Sequence, residues 1–143
     1  MSLKKITHKY KDAVACIMIC CMLVNLLVPT MVLASNPVPG PSSDYSATGA
    51  SVNNINSNLT EINQFANKAI INMGQFYLAN GQTVNFNQPG VNAAILNRIT
   101  GGNMTSLLGA LNANGQVFFV NPAGVYVGGG ASINATRFVA SAM

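Results

Sequence analysis

The stretch VFFVNPAGVYVGGGASIN, residues 117–134, decides the fold class. Four apolar residues are followed by an Asn-Pro turn, a second apolar run VYV, three glycines and a third short run ASIN. Apolar runs this short, bounded by Asn, Pro and Gly, carry strand and turn punctuation. A polypeptide that turns a corner every few residues forms a coil of short sides. VFFV, VYV and ASIN are then successive sides, with Asn121–Pro122 and Gly128–Gly130 as corners. VFFV, apolar throughout, is expected to be buried on both faces, which places Phe118, Val120 and Val125 in the coil core together with Phe86.

The same punctuation continues outward. From Ser51 onward SVNNIN, LTEINQ, AIIN, QFYL, TVNF, AAIL and FVASA recur, each closed by Asn, Gly or Pro nearby. In TVNF, Val84 and Phe86 alternate with Thr83 and Asn85, the period of a strand with one apolar face. One segment leans the other way: TSLLGAL, residues 105–111, is expected to form a helical turn or short cap. The class is all-β.

An internal echo extends the reading. ANGQTVNFNQPGV (residues 79–91) aligns without gaps on ANGQVFFVNPAGV (residues 113–125). The echo predicts stacked coils in which each strand pairs with its equivalent in the next coil, a solenoid that buries a continuous core by stacking. Two copies fall short of the three a repeat argument wants, and turn-rich units in an Asn-rich protein resemble one another anyway. Asparagine suits such a stack. Its neutral amide can pair with the amide above it where like charges would repel, and it tolerates the left-handed backbone of a corner. That explains why charged residues are only 7% of the sequence, against about 25% in an ordinary domain.

The charges that exist are unevenly placed. Of the formal net charge of +4, Lys4, Lys5, Lys9 and Lys11 supply the basic end. Beyond Ala34 the charged residues are Lys68, Arg98, Arg137, Asp44 and Glu61, too few for a nucleic-acid footprint. The N-terminus carries the pattern of an export signal: a basic start, the apolar run AVACIMICCMLVNLLV, then Pro29 and the small residues Val32 and Ala34. Cleavage is expected between Ala34 and Ser35, so residues 1–34 form the signal peptide. The competing reading is a transmembrane anchor over residues 13–34. Residues 35–50, SNPVPGPSSDYSATGA, are expected to be a flexible leader, and residues 51–143 the folded domain.

Chemistry is sparse in that domain. Cys16, Cys20 and Cys21 all fall in the signal, so the mature protein has no disulfide staple; a polypeptide that must cross a second membrane unfolded gains from that. His8 leaves with the signal as well. With two carboxylates, one in the leader, neither a metal cluster, a Ser-His pair nor a pair of ordered acids can be assembled. No enzymatic role, catalytic residue, metal or cofactor is expected. Gly128–Gly130 lacks the Lys-Ser/Thr of a phosphate loop.

At this point several unusual pieces stand in a characteristic order: AIINMGQFYLANGQTVNFNQP, ILNRITGG, LLGALNANGQVFFVNPAGVYVGGGASIN and RFVASAM. Over residues 59–143 they resemble the secretion domain of filamentous haemagglutinin-like exoproteins, the two-partner secretion family of bacterial adhesins. The resemblance implies a right-handed parallel β-helix with short capping strands, exported by the Sec machinery and trimmed by signal peptidase. It implies recognition by the periplasmic domains of an outer-membrane barrel transporter, release at the cell surface, and nucleation of β-helix folding. Adhesion to a host or neighbouring cell is implied for a passenger downstream, so that the domain is expected to be incomplete at its C-terminal end. Asn121, Pro122 and Gly124 match the family's Asn-Pro-Asn-Gly secretion motif, with Ala123 at its third position. Met73 replaces the family's usual Trp, and Glu61 suggests an extra, bulge-like residue in LTEINQ. The alternatives are a small secreted β-solenoid that self-assembles through its strand edges, and a remnant that is not secreted.

Overall fold

The computed structural model describes residues 38–143; the signal and its expected cleavage point at Ala34–Ser35 lie outside the described residues. The described residues hold strands and turns and no helix. Each coil has three sides. The first is β4 (Leu59–Gln64), β5 (Lys68–Met73) and β6 (Phe76–Tyr77); the second is β7 (Thr83–Asn87), β8 (Ala94–Ile99) and β9 (Thr105–Leu107). The third is β10 (Ala110–Ala113), β11 (Gln116–Val120) and β12 (Val125–Val127), and β13 (Ser132–Asn134) and β14 (Arg137–Ser141) follow as sides of a fourth.

Equivalent sides stack in parallel. β4, β7, β10 and β13 form one sheet and β5, β8, β11 and β14 a second. The third side is thinner: β9 pairs with β12, while β6 reaches β9 through the Leu78–Leu107 bridge. Three earlier strands close the first coil, all antiparallel to it. β1 (Gly40–Pro41) lies on β6, β2 (Ser46–Thr48) on β5 and β3 (Ala50–Asn56) on β4. Antiparallel pairing ends the stack, so the edge of the first coil is not left as an open template.

Alternation decides what is buried. Every second residue points inward, and register lines these residues into ladders: Ala69, Ile95 and Val117 in one, Ile71, Asn97 and Phe119 in the next. All six are buried. Phe76 from the third side meets Phe119 edge-on, ring centroids 4.8 Å apart at 80°, a geometry worth about 0.5–1.5 kcal/mol beyond its burial. Met73 is also buried, so the thioether fills its site in the core.

Several expectations are corrected. Within VFFV, Val117 and Phe119 are fully buried and Phe118 and Val120 only half-buried, because among the described residues no layer covers the outer face of this sheet. Phe86 is in the core as expected; Val125, on a short edge strand, is half-buried. TSLLGAL forms β9, a corner and the start of β10 instead of a helical turn. The corner is at Gly109, where a Cβ would stand 2.3 Å from the Gln82 carbonyl oxygen and 2.5 Å from that of Ala79.

The two copies of the internal echo do not stack on each other. Thr83 lies beside Leu59 and Ala110, whereas Gln116 lies beside Ala94 and Arg137, so the copies occupy different sheets. What they share is the turn that enters a strand. The described part of the expected leader is ordered: β1 and β2 belong to the cap, since backbone pairing needs no apolar side chains, and Ser42 exchanges hydrogen bonds with Gln75 (Ser42 N to Gln75 O 2.8 Å, Gln75 N to Ser42 Oγ 2.9 Å). Glu61 makes no bulge: β4 keeps unbroken register with β7, and the slip is in β3 between Asn54 and Asn56. Nor does asparagine take the left-handed backbone. Among the described residues only Gly40, Gly49, Gly81 and Gly124 have positive φ.

Candidate functional site

The corner between β11 and β12 carries the expected secretion motif. Asn121 is fully buried there. Its Oδ1 accepts from the Ala123 amide at 2.9 Å, closing a turn around Pro122, and its Nδ2 donates to the Asn103 carbonyl at 3.0 Å and the Thr105 hydroxyl at 2.9 Å. The Gly124 amide donates to the Asn121 carbonyl, and the Gly124 carbonyl accepts from Thr105. One amide side chain therefore joins its own turn to the loop of the preceding coil. Gly124 has φ +101°, a backbone region that L side chains rarely adopt.

Pro122 and Ala123 are exposed at the tip. The third position contributes its backbone amide to the turn, so alanine leaves the turn's hydrogen bonds intact. The motif residues are thus brought together, with different exposures: Asn121 holds the corner, Pro122 faces solvent and Gly124 is half-buried. Gly128, the other expected corner, donates its amide to the Leu107 carbonyl at 2.9 Å.

A second corner escaped sequence reasoning. Gln88 Nε2 donates to Gln64 Oε1 at 2.9 Å, while Asn114 Oδ1 accepts the Gln88 amide and Asn114 Nδ2 donates to the Gln88 carbonyl, both at 2.7 Å. Gln64, Gln88 and Asn114 thus tie three coils at one edge. The signal was present in the sequence: INQ (62–64) and FNQ (86–88) end successive strands of the same sheet. Asparagine also pairs along the outer face, Asn87 with Asn63 at 2.9 Å and Asn112 with Asn85 at 3.0 Å.

Ionisable chemistry at these corners is slight. Asp44, exposed beside Gly74, is held below the ordinary carboxylate range, first by the Ser42 hydroxyl and then by backbone amides of Asp44 and Gly74. Among the described residues no three His, Cys, Asp or Glu side chains come together as a metal site would need.

Fold and corner together define a capped parallel β-helix with Asn-Pro-x-Gly at a coil edge. A family model described as TPS secretion domain matches residues 39–143, and the protein belongs to that family, the two-partner secretion domains. It is similar to two heme/hemopexin-binding proteins of Haemophilus influenzae: 37% identical over 92 residues in one case and 39% over 80 in the other. Those matches cover 64% and 56% of this protein but only 10% and 9% of the relatives, so it spans about a tenth of their length. The crystal structure of the HMW1 secretion domain from Haemophilus influenzae superposes with a TM-score of 0.63 at 34% identity, covering 69% of this protein and 27% of that one. The protein is therefore a secretion domain of a two-partner secreted exoprotein. Such a domain works with a partner outer-membrane transporter, and proteins that carry it are exported to the cell surface or secreted.

Proposed function

We propose that this domain leaves the inner membrane through the Sec machinery, loses residues 1–34 to signal peptidase, and is bound in extended form by the periplasmic domains of its transporter. After passage it folds at the surface, and its cap and first coils template the folding of whatever follows. It acts by binding and folding, without catalysis or cofactor. Adhesion belongs to a passenger downstream.

The observation that supports this most is the burial of Asn121. In the folded domain its side chain is wholly engaged, so a transporter can read it only before the coil closes. Strand addition suits such reading, because main-chain hydrogen bonds supply affinity and neutral side chains supply selection. The described residues offer only Lys68, Arg98, Arg137, Asp44 and Glu61 for electrostatic steering. Urea-unfolded protein diluted into the transporter's periplasmic domains, at low and high salt, tests the reading. Binding should be fast, nearly independent of salt, and weaker for Asn121→Ala. Binding that vanishes with salt, or that requires the folded domain, contradicts it.

A further inference from the structure

The outer face of the β2-β5-β8-β11-β14 sheet carries a feature that the transporter reading leaves unexplained. Its outward rows, read across the strands from β5, place Ile70, Leu96, Phe118 and Val139 in one line, with Thr48 of β2 at its end. Ile70 is 43% exposed and Val139 41%, with Leu96 and Phe118 half-buried between them. The row on one side runs Lys68, Ala94, Gln116, Arg137; the row on the other places Arg98 between Asn72 and Val120. All three cations among the described residues thus flank one apolar stripe, and all three are exposed. Of the two acids among the described residues, Glu61 is on the outer face of the other long sheet, and Asp44, in the turn between β1 and β2, sits against Gly74 just past the end of β5.

We propose that this face docks on an anionic lipid surface. A plane of apolar side chains rimmed by Lys and Arg is what a charged lipid–water interface takes up, the apolar stripe entering the headgroup boundary and the cations meeting phosphates. The geometry disfavours the other occupants. A two-fold second copy would bring two sets of Lys68, Arg98 and Arg137 onto one interface, six cations in all. A partner helix wants a groove, and this face is an open sheet; the cavity of about 210 Å³ lined by Gln75, Tyr77 and Met104 lies on the thin third side. The inference goes beyond the transporter reading and does not depend on it.

The protein has no Trp, so one introduced residue reports on one place. In the full-length protein, Phe118→Trp puts the reporter on the stripe, and Asn53→Trp puts it on the exposed outer face of β3, in the other long sheet. An apolar N-terminal segment that tethers the protein to a vesicle acts on both variants alike. With vesicles of phosphatidylcholine and phosphatidylglycerol, the Phe118→Trp emission should shift to the blue and become quenchable by brominated lipid, while Asn53→Trp stays solvent-like. Phosphatidylcholine alone should give neither change. Adding Arg98→Glu and Arg137→Glu should lower partitioning roughly tenfold or more, and salt should do the same in the parent. Val139→Trp serves as a second stripe reporter if Phe118→Trp melts early. Equal shifts at both reporters, or none at the stripe, overturn the proposal and leave the face to an acidic protein segment. A stripe shift that grows with protein concentration in the absence of lipid overturns it in favour of self-association.

Discussion

The two long sheets share one register logic inward and opposite chemistry outward. On the β3-β4-β7-β10-β13 sheet one outward row is Asn53, Glu61, Asn85, Asn112 and Asn134. On the other, the comparable row is Thr48 on the cap strand, then Ile70, Leu96, Phe118 and Val139. A parallel stack brings equivalent residues within about 4.7–4.9 Å of each other, so each row has to tolerate its own neighbours. Amides do so by pairing, as Asn85 and Asn112 show, and apolar side chains do so by contact. Like charges do not, and Lys68 and Arg137 stand in one row with Ala94 and Gln116 between them. The near absence of charge is thus a consequence of stacking.

The contrast between inward and outward positions can be broken most forcefully at adjacent phenylalanines. Phe119 is fully buried and Phe118 is not. Phe119→Ala should cost about 3–5 kcal/mol and Phe119→Asp should abolish the cooperative urea transition, since an unpaired carboxylate would enter the core. Phe118→Asp should leave a folded, cooperative domain. Equal loss at the two sites would mean that both faces are covered.

Asn121→Ala should follow, costing about 1–3 kcal/mol in the same urea titration, because it leaves Thr105 and the Asn103 carbonyl without their buried partner. Asn97 sharpens the inward rule from the other side. It is buried between Ile71 and Phe119, its Nδ2 reaches the Phe118 carbonyl at 3.2 Å, and its Oδ1 has no partner. Asn97→Leu should raise the melting midpoint, by about 1 kcal/mol or more of stability; a drop would assign the amide a role the hydrogen bonds do not show.

The outward amide row yields smaller effects. Asn85 lies directly beside Glu61, so Asn85→Asp should lose about 0.2–1 kcal/mol at neutral pH and regain it in acid, whereas Asn85→Lys should gain. The least effect is expected at Asp44. Its folded pKa is lowered, so its contribution to the cap is fully present above the ordinary carboxylate value and lost as pH falls through the folded one. Asp44→Asn should flatten that acid limb in a melting series.

Much of this was legible in the residues themselves. Short apolar runs between Asn, Pro and Gly mark strands and corners, and the expected coil sides VFFV, VYV and ASIN fall on β11, β12 and β13, the last starting one residue later at Ser132. Of the features that were not legible, three show the physical reason most plainly. The echo at residues 79–91 and 113–125 reflects shared turn chemistry, which any coil side can use, so it could not reveal which strands stack. VFFV is apolar at every position, so periodicity could not say which residues face outward. The cap strands β1 and β2 pair through backbone alone, and Gly, Pro and Ser there look like a linker. At the β11–β12 corner, Asn121, Pro122 and Gly124 stand together in one turn as their motif implies; the Gln64–Gln88–Asn114 corner was missed because INQ and FNQ mark only two of its members, and only register brings Asn114 beside them.

The central claim is that the transporter handles this domain before its coils close. Asn85 and Asn112 are adjacent across the β7–β10 ladder, at a spacing within disulfide range, and the sequence beyond Ala34 has no cysteine of its own. Export of Asn85→Cys/Asn112→Cys through the cognate transporter, measured with and without reductant, tests the claim directly. The account predicts that the oxidised variant stalls in the periplasm and that reductant restores its release to near the parent's level. Release of the disulfide-locked protein as efficiently as the parent would contradict it.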